Sequence, residues 1–94
     1  MLTRLVKMQF NEEFLTEFQE TFKAVQPKIA AFKGCNGVQL LQDQHEINTF
    51  FTISLWEDED HLEDYRRSNL FRETWTSIRP HFAAKPEAWS LLAP

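Results

Sequence analysis

Residues 48–56 have the sequence NTFFTISLW, and this stretch decides the fold of the chain. It contains no Gly or Pro and is rich in aromatic and β-branched residues, which favours a β-strand. Successive side chains of a strand point to opposite faces of its sheet. Large apolar groups therefore fall on both faces: Phe51, Ile53 and Leu55 on one, Phe50 and Trp56 on the other. Both faces of the sheet need a covering layer.

Three further stretches have the alternation or composition of strands: residues 2–10, 37–43 and 88–92. In the first of them Val6, Met8 and Phe10 share one side, while polar residues occupy the other. Residues 44–47 have the length of a hairpin connection between the second strand and the third. The pattern thus predicts four strands in all.

A first helix is predicted after the first strand. Its apolar residues recur at spacings of three and four: Phe14, Phe18, Phe22, Val25 and Ile29. We expect Asn11 to cap this helix, Pro27 to kink it or start a fresh turn, and Gly34 to end the segment.

A second helix is predicted after the third strand. Asp58 is its expected cap, and Leu62 and Tyr65 begin its apolar side. Ser68 and Asn69 interrupt the stripe, which resumes with Phe71, Trp75, Ile78 and Phe82. The order β-α-β-β-α-β predicts an α+β ferredoxin-like sandwich that forms one domain over residues 1–94.

The apolar groups on both faces of the predicted sheet also indicate an oligomer. Two helices can cover only one face of a four-stranded sheet, and large exposed apolar patches are uncommon on monomers. The simplest cover for the second face is another copy of the chain. We therefore expect a homodimer that packs sheet against sheet.

Composition excludes several classes of protein. Ten basic and 14 acidic residues give a net charge of −4, which argues against binding to nucleic acid or to an anionic membrane. The single cysteine, Cys35, cannot form an internal disulfide, and no apolar run approaches the roughly 20 residues of a membrane span. We expect a cytoplasmic protein that does not bind membranes.

Residues 54–71, SLWEDEDHLEDYRRSNLF, resemble the signature of the antibiotic biosynthesis monooxygenase family. That signature has a strand ending in Trp, an acidic helix start, an aromatic residue or His, and then Ser or Thr before another aromatic residue. The glycine turn at Gly34–Gly37 is similar to the family as well. The resemblance implies a dimeric α+β barrel. Some members oxidise phenolic, quinol or polyketide-like substrates with O₂ and no metal or flavin, and others degrade haem.

The resemblance also implies which chemistry to expect. In haem-degrading relatives a Trp stands where this chain has Tyr65, and the iron-binding His stands where it has Trp75. An indole cannot ligate iron. Many quinol-oxidising relatives have Glu at the position of Ser54 and His at that of Tyr65. Because the chain lacks the iron ligand of the haem-degrading relatives, the resemblance implies the other activity of the family. We expect a monooxygenase without cofactor or metal that acts on a small hydrophobic aromatic molecule.

The candidate site residues follow from that chemistry. Tyr65 is the candidate hydrogen-bond donor to a phenolate, and His61 is the candidate base. The candidate substrate-binding residues are Trp56, Trp75, Phe71 and Arg72, which would stack on a flat ring or offset its charge.

Several alternatives stay open at this point. Trp75 could simply belong to the core, and the protein could be a non-catalytic ligand-binding or stress-related dimer of the same fold. Asp58, His61 and Asp64 have a spacing that only weakly matches a metal site. The basic residues of the second helix are expected to form an exposed face neutralised by acidic neighbours: Arg66, Arg67, Arg72 and Arg79.

Overall fold

A computed structural model describes all residues from Met1 to Pro94. The elements along the chain are β1 (Leu2–Gln9), α1 (Leu15–Ala30), β2 (Cys35–Gln42), β3 (Thr49–Trp56), α2 (Glu59–Arg66), α3 (Asn69–Ile78) and β4 (Glu87–Leu91). One turn of 3-10 helix precedes α1 and another follows α3. The predicted β-α-β-β-α-β order is confirmed, with the second helix present as the pair α2 and α3. No helix combines the length and the apolar character that crossing a membrane requires.

The four strands form one antiparallel sheet in the order β2-β3-β1-β4. The two central strands, β1 and β3, are therefore the first and third in sequence. Leu5 at the middle of β1 lies opposite Ile53 on one side and Trp89 on the other. This arrangement is the ferredoxin-like α+β sandwich that the sequence predicts.

The core lies between one face of the sheet and the helices, in two clusters. The larger one joins β1 and β3 to α1 and α3, and it consists of Met8, Phe10, Phe14, Phe18, Phe22, Phe50 and Ile78. The smaller one lies near the start of β1 and the end of β3, and it consists of Leu2, Ile29, Trp56 and Leu62. The face of the sheet that these residues share is called the inner face below.

Helix α1 follows its predicted stripe but differs from the prediction at two positions. It continues through Pro27 to Ala30 as one helix, so no fresh turn begins at Pro27. Pro27 lies in the last turn on an exposed side, so water can solvate the carbonyl that loses its helical donor. Asn11 makes no side-chain capping bond, because a 3-10 turn at Glu12–Phe14 precedes the helix. Gly34 has a φ of +85° and closes the connection to β2, as expected.

The boundary between α2 and α3 is set by Ser68. Its hydroxyl accepts a hydrogen bond from the backbone N–H of Phe71 at 3.1 Å and donates one to the carbonyl of Tyr65 at 2.6 Å. Ser68 thus ends one helix and caps the next. As predicted, Asp58 caps α2 by accepting from the N–H of His61 at 2.9 Å.

The opposite face of the sheet, called the outer face below, has no helix over it. Its apolar residues include Leu41, Phe51, Ile53, Leu55, Trp89 and Leu91. Leu41 and Leu91 keep 42% and 46% of their surface exposed, and Trp89 keeps 40%. The sequence-based expectation of a second apolar face is therefore met by a contiguous surface that spans all four strands.

Candidate functional site

A cavity of about 520 Å³ lies between the inner face of the sheet and the helices. Its walls come from the inner side of β1, from α1, from α2 and α3, and from the start of β4, and its apolar lining includes Val6, Met8, Phe18, Phe22, Phe71 and Trp75. Pockets for small molecules in proteins hold roughly 300–1,000 Å³. The cavity is therefore large enough for a compound of a few fused rings.

One wall of the cavity is aromatic, because the Ser68 cap brings residues of α2 and α3 together. The rings of Phe71 and Trp75 are stacked with their centroids 5.7 Å apart and their planes 10° apart. Tyr65 meets Phe71 edge-on at 5.3 Å. All three residues line the cavity. The wall offers a flat surface on which a planar ligand can stack.

Tyr65 is the neutral hydrogen-bond donor of this wall. Burial raises the pKa of its phenol to about 12, and the thiol of Cys35 contributes in the same direction. The hydroxyl makes no hydrogen bond to another residue of the chain. At neutral pH Tyr65 is therefore protonated and can donate to an oxygen of a ligand, but it cannot act as a base.

Trp56 does not line the cavity, although the sequence made it a candidate for binding substrate. It is fully buried in the smaller core cluster, where α2 packs over the end of β3. Its Nε1 donates to the hydroxyl of Ser54 at 2.9 Å, and its ring is stacked under Tyr65 at 5.0 Å. Trp56 thus supports the aromatic wall from behind.

His61 also lies away from the cavity. Its Nδ1 is 2.7 Å from a carboxylate oxygen of Asp58, and its Nε2 is 3.8 Å from one of Glu57. The ring packs on Gly34, where an added Cβ would come within 2.3 Å of it. Hydrogen bonds from the backbone and the ring of His61 lower the pKa of Asp58. These contacts hold the imidazole at the protein surface, out of reach of a ligand in the cavity.

No group of three or more His, Cys, Asp or Glu side chains is arranged to hold a metal ion. Asp58, His61 and Asp64 therefore do not converge, although their spacing matched a metal site weakly. Asp58 and His61 contact each other instead, as described above.

Four arginines line the cavity: Arg4, Arg66, Arg72 and Arg79. Only Arg66 has a carboxylate partner, Glu63 at 2.8 Å. Arg72 donates to the side-chain oxygen of Asn69 at 2.9 Å, and Arg4 donates to the hydroxyl of Ser90 at 2.9 Å. The arginines of the predicted second helix are exposed, as expected, but the expected neutralisation by carboxylates is found only at Arg66. Arg72 was predicted to bind substrate, and it lines the cavity.

Arg4 is the site residue that the sequence reasoning missed. It lies on the inner face of β1, where Val6 and Met8 also point. Burial lowers the pKa of its guanidinium, the charge of Arg66 lowers it further, and Glu63 opposes them. The alternation of β1 could have identified Arg4, because it places this cation on the same face of the sheet as three apolar residues.

Comparisons with known proteins show which family and which solved structures this chain is similar to. A model of the family described as antibiotic biosynthesis monooxygenase matches residues 1–77. No curated protein matches the sequence. A crystal structure described as an antibiotic biosynthesis monooxygenase superposes with a TM-score of 0.94 at 18% identity, covering 100% of this chain and 99% of that one.

Two similar structures come from named bacteria, and both are described as putative antibiotic biosynthesis monooxygenases. The protein from Nitrosomonas europaea has a TM-score of 0.91 at 10% identity, with 99% of this chain and 98% of that chain covered. The protein from Caulobacter crescentus CB15 has a TM-score of 0.91 at 20% identity, with 99% and 89% covered. At such identities the structural likeness establishes the fold.

Proposed function

Because the chain belongs to the antibiotic biosynthesis monooxygenase family, we propose that it is a cofactor-independent monooxygenase of a small hydrophobic aromatic compound. The substrate class is a quinol, a phenol or a polyketide-like molecule. The observation that supports this proposal most is the cavity whose wall combines the stacked rings of Phe71 and Trp75 with the protonated hydroxyl of Tyr65.

The roles of the side chains follow from their positions. Phe71 and Trp75 stack on the planar substrate and exclude water from one of its faces. Tyr65 donates a hydrogen bond to the oxygen on which negative charge develops when the substrate loses a proton. Arg72 offsets that charge from the same lining. Trp56 keeps the Tyr65 ring in place by stacking beneath it.

The proposed reaction balances without any group beyond substrate and O₂. For a polyketide-like anthrone, the ring CH₂ that lies across the ring from the carbonyl loses a proton to water, and the carbanion is stabilised as the enolate of that carbonyl. Electron transfer to O₂ and recombination form a C–O bond, and the peroxide takes a proton from water to give the hydroperoxide. Loss of water then breaks the O–O bond and leaves a ketone, so that one oxygen atom enters the product and the other leaves as H₂O.

The proposed enzyme is a homodimer. The apolar outer face contains Ile53 near its centre and Trp89 on the edge strand, with Leu5 between them. Packing against a second copy removes this surface from water at roughly 25 cal/mol per Å² of apolar area. We place the enzyme in the cytoplasm in this proposal, where a lone reduced thiol such as Cys35 persists.

Oxygen consumption with a panel of quinols and anthrones tests the proposed activity. We expect turnover by the native protein in the presence of a metal chelator, and a loss of about tenfold or more in kcat for Tyr65→Phe, which removes one donor to a developing oxyanion. Saturable binding without turnover on any member of the panel would reject the proposed enzyme.

One observation favours a second candidate function, a non-catalytic ligand-binding dimer. No histidine lines the cavity, because His61 is held outside it, and burial raises the pKa of Tyr65 to about 12. A binder needs no base, whereas an oxygenase without one must act on substrates that ionise readily. Turnover that is confined to the more acidic members of the panel supports the enzyme over the binder.

A further inference from the structure

The charged residues of the cavity are almost all of one sign. Its lining contains four arginines and a single acidic residue, Glu87. The chain as a whole has four more acidic than basic residues. Positive charge is thus concentrated in the cavity between sheet and helices, against the overall excess of negative charge.

The carboxylates near this group pair with only one of its four arginines. Glu63 pairs with Arg66, and the carboxylate of Glu87 lies 4.0 Å from the ammonium of Lys7. Arg4 and Arg72 have only neutral hydrogen-bond partners, and Arg79 has no salt bridge. Each guanidinium has five N–H donors, so most of the donors of Arg4 and Arg72 are left for a ligand.

Arg4 is the residue whose position most needs a counter-charge. It lies half-buried on a central strand beside Val6 and Met8, and the nearby Arg66 has the same sign. A cation that is partly removed from water without a paired anion is unfavourable. A ligand anion bound beside Arg4 offsets its desolvation and the repulsion by Arg66, which Glu63 counters only in part.

We propose that the natural ligand of the cavity is an aromatic carboxylate, whose ring stacks on the wall of Phe71 and Trp75 and whose carboxylate binds Arg4 with help from Arg72 and Arg79. This inference rests on the proposed function only for the aromatic part of the ligand. The planar guanidinium matches a carboxylate in a two-pronged geometry, which makes the carboxylate the natural partner of Arg4.

Two probes that differ only in the acidic group test the inference. Binding of 1-hydroxy-2-naphthoate and of 1-naphthol to the full chain is measured by titration calorimetry in the absence of oxygen. We expect the carboxylate to bind at least about tenfold more tightly, the size of effect that one charge-assisted hydrogen-bond pair gives. Equal affinities for the two probes in the native protein would overturn the inference.

Variants identify the residue responsible. Arg4→Gln is expected to reduce the preference for the carboxylate about tenfold while 1-naphthol binds as before, and Arg4→Lys retains part of the preference. The matched control is Arg67→Gln, which removes a cation at the end of α2 that does not line the cavity, and it should leave the preference unchanged. A preference equally reduced by both variants reflects the overall charge and overturns the assignment to the cavity.

Two further features keep the experiment decisive. If Arg4→Gln does not fold, as judged by circular dichroism, the exposed pair Arg72→Gln and Arg79→Gln takes its place, and an unchanged preference in that double variant overturns the inference. Binding is measured without oxygen, so it does not depend on catalysis. If the protein binds the carboxylate but consumes no oxygen with any substrate of the panel, the proposed oxygenase is rejected and this inference stands.

Discussion

The ring of Tyr65 is stacked on the ring of Trp56, with the centroids 5.0 Å apart and the planes 25° apart. One partner lines the cavity and the other is completely buried behind it. The end of β3 and the end of α2 thus meet in a single aromatic pair. The position of the candidate donor therefore depends on a core residue that does not line the cavity.

Replacement of Trp56 should affect both stability and the site. Trp56→Phe removes the Nε1–H group that donates to the hydroxyl of Ser54, and it removes part of the ring surface under Tyr65. We therefore expect the free energy of unfolding to fall by about 1–3 kcal/mol. Urea denaturation at fixed protein concentration measures it. Ser54→Ala is the matched control for the hydrogen bond, and a Trp56→Phe protein as stable as the native one would contradict the supporting role.

Titration of Tyr65 gives a direct test, because the chain contains a single tyrosine. The pKa is raised from 10.0 to about 12 by burial. The absorbance of tyrosinate should therefore rise with a midpoint near pH 12 in the folded protein and near pH 10 in urea. Tyr65→Phe should show no such change. A midpoint near 10 in the folded state would mean that the ring is solvated.

The same shift predicts a loss of stability in alkali. Because the folded pKa lies above the unfolded one, the unfolded chain releases the proton first, and stability falls as the pH rises from about 10 to about 12. Two pKa units correspond to at most about 2–3 kcal/mol. The free energy of unfolding, measured by denaturant melts across this pH range, should fall more steeply with pH for the native protein than for Tyr65→Phe. Identical slopes would rule out the contribution of Tyr65.

A charge on the outer face should dissociate the proposed dimer. Ile53→Lys places an ammonium near the centre of that face, and burying it against a second copy costs several kcal/mol. We expect light scattering to give a dimer for the native chain and a monomer for the variant. Thr16→Lys adds the same charge to the exposed side of α1 and should stay dimeric. A native protein that is monomeric at micromolar concentration would refute the dimer.

Gly34 should tolerate no side chain. Gly34→Ala forces a left-handed φ of +85° and drives its Cβ into the ring of His61, so we expect a loss of about 1–3 kcal/mol in stability. Gly37→Ala is a matched control, because its φ is also positive, at +132°, but nothing lies within 4 Å of its Cβ. The Cβ of His61 is also within 2.5 Å of the added Cβ, so the rescue uses Gly34→Ala/His61→Gly, which should restore part of the loss relative to His61→Gly alone. If both glycine variants lose the same stability, the clash with His61 is irrelevant.

Much of the candidate site could be predicted from local sequence. Helical spacing places Phe71 and Trp75 on one side of α3, and the family resemblance singles out Tyr65; all three line the cavity together with Arg72. Arg4 is absent from the candidates drawn from the sequence, because those came from the two helices, from the end of the third strand and from the family resemblance. Its alternation with Val6 and Met8 already placed it on their side of the sheet.

The amino-acid sequence by itself determined the order of the elements, the stripe of α1 and the cap at Asp58, whereas it marked Ser68 only as an interruption of the second stripe. These depend on periodicity and on hydrogen bonds between near neighbours, which are local properties of the chain. Only the tertiary structure decided that Trp56 lies behind the wall, that His61 faces away and that Arg4 joins Arg72 at one cavity. Those outcomes depend on how β1, β3 and the helices pack, and packing joins residues that are far apart in sequence.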